Sequence, residues 1–340
     1  MAATRLFTIE QCIAENIPLS VGYRDFEGYK GKFPDPQWPG NAKLCVNIVL
    51  NYEEGGEYSV VNGGDMRSET DLQEIMGRPV RTGQRDIQME TQYEYGTRVG
   101  VWRVAHFLEQ QKIKATVYAV GQSILKSPDA ARYLVQSGHE ISSHGYRWID
   151  HHALPLALEK EQIEKNIEAI REISGQPPRG WYVGRPSMSS KGLVCHVFDQ
   201  QGLELLYQSD SYSDELPYWT AHPLDPHKGL LMIPYTYDVN DNKFTTSPGF
   251  TSPRDWLEYC KAAFDVLYEE GCNGEPKMMT IGLHSRLIGR PARFQALREL
   301  VKYIQSHEGV WFATREEIAR HWIKTHPFDE NKLNRIPHFL

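Results

Sequence analysis

The stretch KATVYAVG at 114–121, a helical segment at 129–137 and then HEISSH at 139–144 decide the fold. The first run is β-branched and aromatic, the composition that suits a pleated, buried surface. Gly138 closes the helix, because a glycine there takes the left-handed turn that ends helices. HEISSH then reads as the next strand, leading into a loop. Strand, helix, strand in this order is the unit of a parallel sheet with helices outside.

The alternation continues on both sides. Lys43 to Leu50 (KLCVNIVL) is a short apolar run and reads as a buried strand. Residues 97–111 place Val101, Ala105 and Leu108 on one helical face; residues 156–173 do the same with Ile163, Ile167, Ile170 and Ile173. Strands are expected at 180–183, 205–207, 230–237, 277–283 and 310–312. Ser252 and Pro253 open a helix as its cap and first residue, and Gly271 stops it. Phe294, Leu297, Val301 and Ile304 mark another, and Thr314 with Glu317 forms a capping-box pattern.

About seven or eight such β-then-α units with no dividing linker imply one α/β domain, a closed or partly open barrel. A doubly wound open sheet is the competing architecture, with neither a Gly-rich dinucleotide fingerprint nor a P-loop to support it. The barrel is expected over 41–325, with a tail at 326–340. Residues 1–40 show no period but carry Tyr23, Phe26, Tyr29, Phe33 and Trp38, so they read as an irregular arm packed on the body.

The chain has 340 residues, 40% hydrophobic and 24% charged, which excludes a disordered protein. Lys and Arg number 37 against 44 Asp and Glu, a net charge of −7, which argues against nucleic acid or an anionic membrane as partner. The five cysteines show no paired spacing, which fits a reducing compartment. The N-terminus has no signal-like apolar run and the C-terminus no peroxisomal address; a cytoplasmic location is expected.

Barrel chemistry sits at the C-terminal ends of the strands. There the sequence offers Glu53 and Glu54, then His144 with Arg147 and Trp148, then Tyr182 and Arg185, then Asp238 and Asp241, then His284 and Arg286. Each alone is weak: the glutamates could be a solvated acidic loop, each arginine a surface ion pair, and Trp148, Tyr182 and Trp219 core aromatics. Recurrence at successive strand ends is the stronger signal.

This order resembles the polysaccharide deacetylase superfamily, which implies a distorted (β/α) barrel of about seven strands. The likeness rests on Lys114–Tyr118 with Gly121, on Gly138–Ile141 running to His144, on Asn51–Glu54 in place of a paired-aspartate motif, and on Gly282-Leu283-His284. The family binds a metal through the second aspartate of the pair and a His-xxx-His pair. Here glutamates replace the aspartates and Trp148 stands at the second histidine; an indole nitrogen donates only and cannot ligate. His151 and His152 are the remaining imidazoles nearby, but they are expected to start the following loop and helix.

The departures are similar to the metal-independent allantoinase branch, through Asn51–Glu57, His144-Gly145 with Arg147–Asp150, Gly180–Tyr182 with Gly184-Arg185, Leu216–Trp219, Ile233–Thr236, Asn240-Asp241 with Phe244, and Gly282–His284 with Arg286-Leu287 and Gly289–Pro291. That resemblance implies hydrolysis of allantoin to allantoate with no cofactor, and a homo-oligomer such as a tetramer. By analogy Glu53 is the general base, His284 the acid or the orienter of the base, and His144 a positioning group. Arg147, Arg185 and Arg286 take the electrophilic role, Asp238 or Asp241 holds a cation in place, and Glu54, Trp148, Tyr182 and Trp219 line the pocket.

Bulk water ionises near a pKa of ~15.7 and a free Glu near ~4.3, so full proton transfer costs on the order of 15 kcal/mol. Proton removal must then be concerted with attack on a reactive carbonyl, which favours a ring-bound imide-like group over an N-acetyl amide. The segment 55–96, with Arg78, Arg81, Arg85, Tyr93 and Tyr95, is long for a strand-to-helix loop and is expected to be a lid or a subunit contact. Two other readings stay open: a zinc-dependent chitin or peptidoglycan deacetylase, and an inactive barrel used for binding.

Overall fold

The computed structural model describes residues 7–19, 24–75 and 77–333. Its strands are β1 Leu44–Tyr52, β2 Thr116–Ala119, β3 Glu140–Ser143, β4 Gly180–Trp181, β5 Tyr207–Gln208, β6 Tyr218–His222, β7 Asp225–Met232, β8 Lys277–His284 and β9 Val310–Phe312. They form one curled sheet in the order β6-β7-β5-β4-β3-β2-β1-β8. β9 pairs with the first residues of β1, on the edge whose later half takes β2. Every ladder is parallel except β6–β7.

All nine residues of β1 are buried, because the sheet is covered on both faces and a central strand then reads as one apolar run rather than an alternation. Val46, Ile48 and Leu50 face the helices at Val101–Gln110, Pro253–Cys272 and Pro291–Gln305, which supply Val104, Leu108, Trp256, Phe264, Leu297 and Val301 to the largest core cluster. The helix at Leu156–Ser174 buries Ile163 and Ile167 in a second cluster with Trp181 and Phe198.

The ring is not closed: among the described strands no ladder joins β7 to β8. Arg315, fully buried, spans that gap. Its guanidinium donates to the main-chain oxygens of Ile233 (2.8 Å) and Pro234 (3.0 Å) just past β7, to Thr280 Oγ1 on β8 (3.0 Å) and to Ser209 Oγ past β5 (3.1 Å). The Tyr118 and Tyr235 rings lie over it at 5.6 and 5.5 Å.

Two details differ from expectation. The strand expected at 230–237 ends at Met232 and instead begins at Asp225, as half of a hairpin with β6. The apolar spacing could not show an antiparallel edge strand, three of whose five residues are only partly buried. The arm is not wholly irregular: Thr8 and Gln11 make a capping box for a helix at Ile9–Glu15, which packs on the helix at Leu156–Ser174. Trp38 in the arm is core, its indole donating to Lys277 O at 3.0 Å. Tyr23 and residues 334–340 lie outside the described residues. No helix among the described residues is long and apolar enough to cross a membrane.

Candidate active site

The ends of β1, β3 and β8 bring three side chains to one point. In the register Asn51 lies opposite His284, so Glu53 leaves β1 just past the histidine, and His144 follows β3. Glu53 Oε1 takes His144 Nε2 at 3.0 Å and His284 Nε2 at 3.3 Å; its Oε2 takes Arg286 Nη1 at 2.7 Å. All four groups are buried.

The charges follow from these contacts. Burial works to raise Glu53, but the attraction of His284 and Arg286 and the histidine hydrogen bonds outweigh it and hold the carboxyl well below its ordinary range. Burial works to lower His284, yet the charges of Glu53 and Asp241 raise it to about 9. Asp241 grips that histidine twice, accepting Nδ1 at 2.7 Å and its main-chain N–H at 2.9 Å. His284 is therefore an imidazolium between two carboxylates. His144 donates Nε2–H to the Glu53 carboxylate, and its Nδ1 has no hydrogen-bond partner among the described residues.

Arg286 is the buried cation of the site. Its second fork nitrogen meets Asp71 Oδ2 at 3.3 Å, and the Tyr93 and Trp148 rings lie over its guanidinium at 4.4 and 5.0 Å. Asp71 also accepts from Tyr93 at 3.0 Å. Arg185 lies over the same Trp148 indole at 4.0 Å and faces Glu69 at 4.0 Å. Tyr182 stacks on Tyr118, touches the His144 ring, and shares hydroxyl hydrogen bonds with Tyr212 (2.9 Å) and Tyr237 (3.4 Å).

Glu54 is turned away. Its two oxygens accept main-chain N–H groups of Glu53 (3.2 Å) and Arg286 (3.0 Å), and burial raises it to about 7. It braces β1 against β8 and is not a pocket residue.

Three more expected site residues stand elsewhere. Arg147 is tied to Asp65 and to Glu57 O in the loop that follows β1. Trp219, on the hairpin, donates to His326 O and packs on Phe328. Asp238 is exposed and accepts from Tyr259 at 2.7 Å; Asp241 is the carboxylate that holds a cation. Each of the three lies within a few residues of a strand or a motif, and proximity along the chain does not fix the direction of a side chain.

The residues missed were Glu69 and Asp71. They come from the long segment after β1, whose acidic residues rather than its arginines reach the site. Arg81 pairs with Asp86 and Arg85 with Glu90, both away from Glu53. No periodic signal marks such a segment.

The donor set does not fit a divalent ion. Trp148 offers no ligand, Glu54 has both oxygens engaged, and Arg286 occupies Glu53. His151 bonds Glu159 at 3.1 Å and His152 is exposed. Among the described residues no group of three or more His, Cys, Asp or Glu could hold a metal.

The curled α/β half-barrel, with a carboxylate, two imidazoles and a guanidinium at its mouth, is that of a deacetylase-family hydrolase acting on C–N bonds. The chain belongs to the polysaccharide deacetylase family. The family's polysaccharide deacetylase model matches residues 85–204. A Schizosaccharomyces pombe protein provisionally named a polysaccharide deacetylase is 44% identical over 318 residues, 90% of this chain and 98% of that one. The crystal structure of Puue Allantoinase superposes with a TM-score of 0.85 at 46% identity, covering 91% of this chain and all of the other. A Helicobacter pylori peptidoglycan deacetylase is 23% identical over 260 residues, 68% of this chain and 87% of that one.

Proposed function

We propose that the protein hydrolyses an amide C–N bond within a ring, with the ureide allantoin as substrate and allantoate as product. One observation carries this reading: the cation beside Glu53 is Arg286, a guanidinium held at 2.7 Å, in a site whose donors do not suit a metal. Such a site cannot lower the pKa of water as zinc does, so it needs a reactive carbonyl and a stabilised nitrogen leaving group. A cyclic imide-like amide has both. The likeness to an allantoinase structure at 46% identity supports the same substrate.

The longest of the three Glu53 contacts is that of His284, 3.3 Å, and it is the one a water molecule displaces most easily. Glu53 Oε1 then accepts the water proton as the water oxygen bonds to the carbonyl carbon. As the C–N bond breaks, the freed Nε2–H of His284 passes to the departing nitrogen, and Asp241 balances the histidine throughout. The Arg286 guanidinium holds the developing oxyanion, a contribution that typically amounts to ~10²–10³ in rate. The protein acts in the cytoplasm as a homo-oligomer, with a small ureide and no nucleic acid or membrane as partner.

The test is turnover of allantoin beside N-acetylated chitin oligomers, with Glu53→Gln as the control. The reading expects ring opening of allantoin, no acetate release, and loss of about 10³ or more in kcat for the folded variant. Acetate release with allantoin untouched would establish the sugar deacetylase instead.

A further inference from the structure

At the rim of the site Glu69 and Arg185 face each other at 4.0 Å. That is beyond hydrogen-bond length, so neither group spends its polar atoms on the other. Glu69 uses Oε1 to accept the Thr70 N–H at 2.9 Å and turns Oε2 toward Arg185. The Arg185 side chain keeps 35% of its surface and the Glu69 side chain 15%, so both are within reach of a ligand. Trp148 fixes the guanidinium from one side at 4.0 Å, and the Arg185 main-chain oxygen is pinned by the His151 N–H at 3.0 Å. The same indole carries Arg286, which holds Glu53. The Trp148 indole and the Arg286 guanidinium therefore link the rim pair to the reacting carboxylate.

A guanidinium beside a carboxylate presents a donor next to an acceptor. The complementary ligand edge has C=O next to N–H. A ring amide has that edge, because the ring forces the two groups to the same side, and a terminal urea has it as well. An acyclic secondary amide does not: it is almost wholly trans, with N–H and C=O on opposite sides. We propose that Glu69 and Arg185 form a specificity subsite that reads the adjacent C=O and N–H of a cyclic amide or terminal urea. It turns away N-acetyl groups by geometry. The proposal rests on the hydrolase reading above and adds the residues that choose its substrate.

The experiment compares the full-length wild type with Glu69→Leu, Arg185→Met and the double variant. Circular dichroism and melting first confirm that each is folded. On allantoin, each single change is expected to raise KM by about 10-fold or more, with kcat within about 3-fold. The double variant is expected to be little worse than the poorer single one, because both groups read one edge. Calorimetric binding of hydantoin should weaken in parallel, and binding of N-acetylglucosamine should be equally poor in all four proteins. Unchanged KM and unchanged hydantoin affinity in folded variants would overturn the subsite. So would a loss confined to kcat. Wild-type protein that opens no ring at all refutes the hydrolase reading, and the hydantoin measurements then decide the subsite by themselves.

Discussion

A buried carboxylate stays ionised only through what it touches, and Glu53 touches three donors. The pH dependence follows from their pairing. His284 is raised to about 9, so its stabilising charge is fully present below its ordinary 6.5 and is lost as pH rises through about 9. Glu53 is depressed, so its contribution is present above the ordinary 4.5 and is lost only as pH falls through its lower native value. Turnover is therefore expected to fall on the alkaline side near pH 9. In Asp241→Asn that limb should move down by about one unit or more, and kcat should drop ~10²-fold. A pH–rate profile that is unmoved in the variant would show that Asp241 does not tune His284. Glu54 works in the opposite sense: a carboxyl raised to about 7 makes folding less favourable as pH climbs from 4.5 to 7. Glu53, His144, His284, Arg286, Trp148, Tyr182 and Arg185, which the structure gathers here, could be named from the strand ends they follow; Asp241 was named from a strand expected to run to Tyr237, which instead ends at Met232. Glu54 was misjudged because two adjacent carboxylates look alike in sequence, whereas only one is free of main-chain donors.

At the scale of elements, the long segment after β1 and the turn that follows it hold the site together. Residues Gly96–Gly100 form a π-helical turn between the helices at Ile87–Tyr95 and Val101–Gln110. Such turns commonly occur at functional positions. A Cβ on Gly96 would fall 2.2 Å from Glu54 Oε1, and one on Gly100 would fall 2.0 Å from Ser285 O, so both glycines are needed for close approach to β1 and to the residues after β8. Gly100→Ala should cost about 1–3 kcal/mol by overpacking and lower turnover as Ser285 and Arg286 shift. Denaturant melts and kinetics check this, and wild-type stability in the variant would contradict the packing argument. The helical face of Val101, Ala105 and Leu108 was readable from its spacing. The π turn was not, because a single extra residue leaves that spacing almost intact. The path of 55–86 was also hidden, since it is held by ion pairs such as Arg147–Asp65 and Arg286–Asp71 rather than by a repeating apolar pattern.

Across the whole molecule, the order of β and α segments revealed a curled parallel sheet, because central strands such as β1 and β2 are largely apolar runs. What stayed hidden was how an unclosed ring is kept in shape. Arg315 does this with four hydrogen bonds across the β7–β8 gap, and its neighbour Thr314 had marked only a helix start. Arg315→Met leaves buried carbonyls without donors, at ~1–3 kcal/mol each, so a loss of several kcal/mol in unfolding free energy is expected. A loss below about 1 kcal/mol would show that the gap holds without it. In the same half-barrel Arg286 is proposed to do the work of a metal ion. The most direct measurement is allantoin turnover after exhaustive chelation, beside Arg286→Met under the same conditions. Undiminished wild-type turnover, with the variant down by about 10²–10³, is predicted. Activity that vanishes with the chelator and returns with zinc would contradict it.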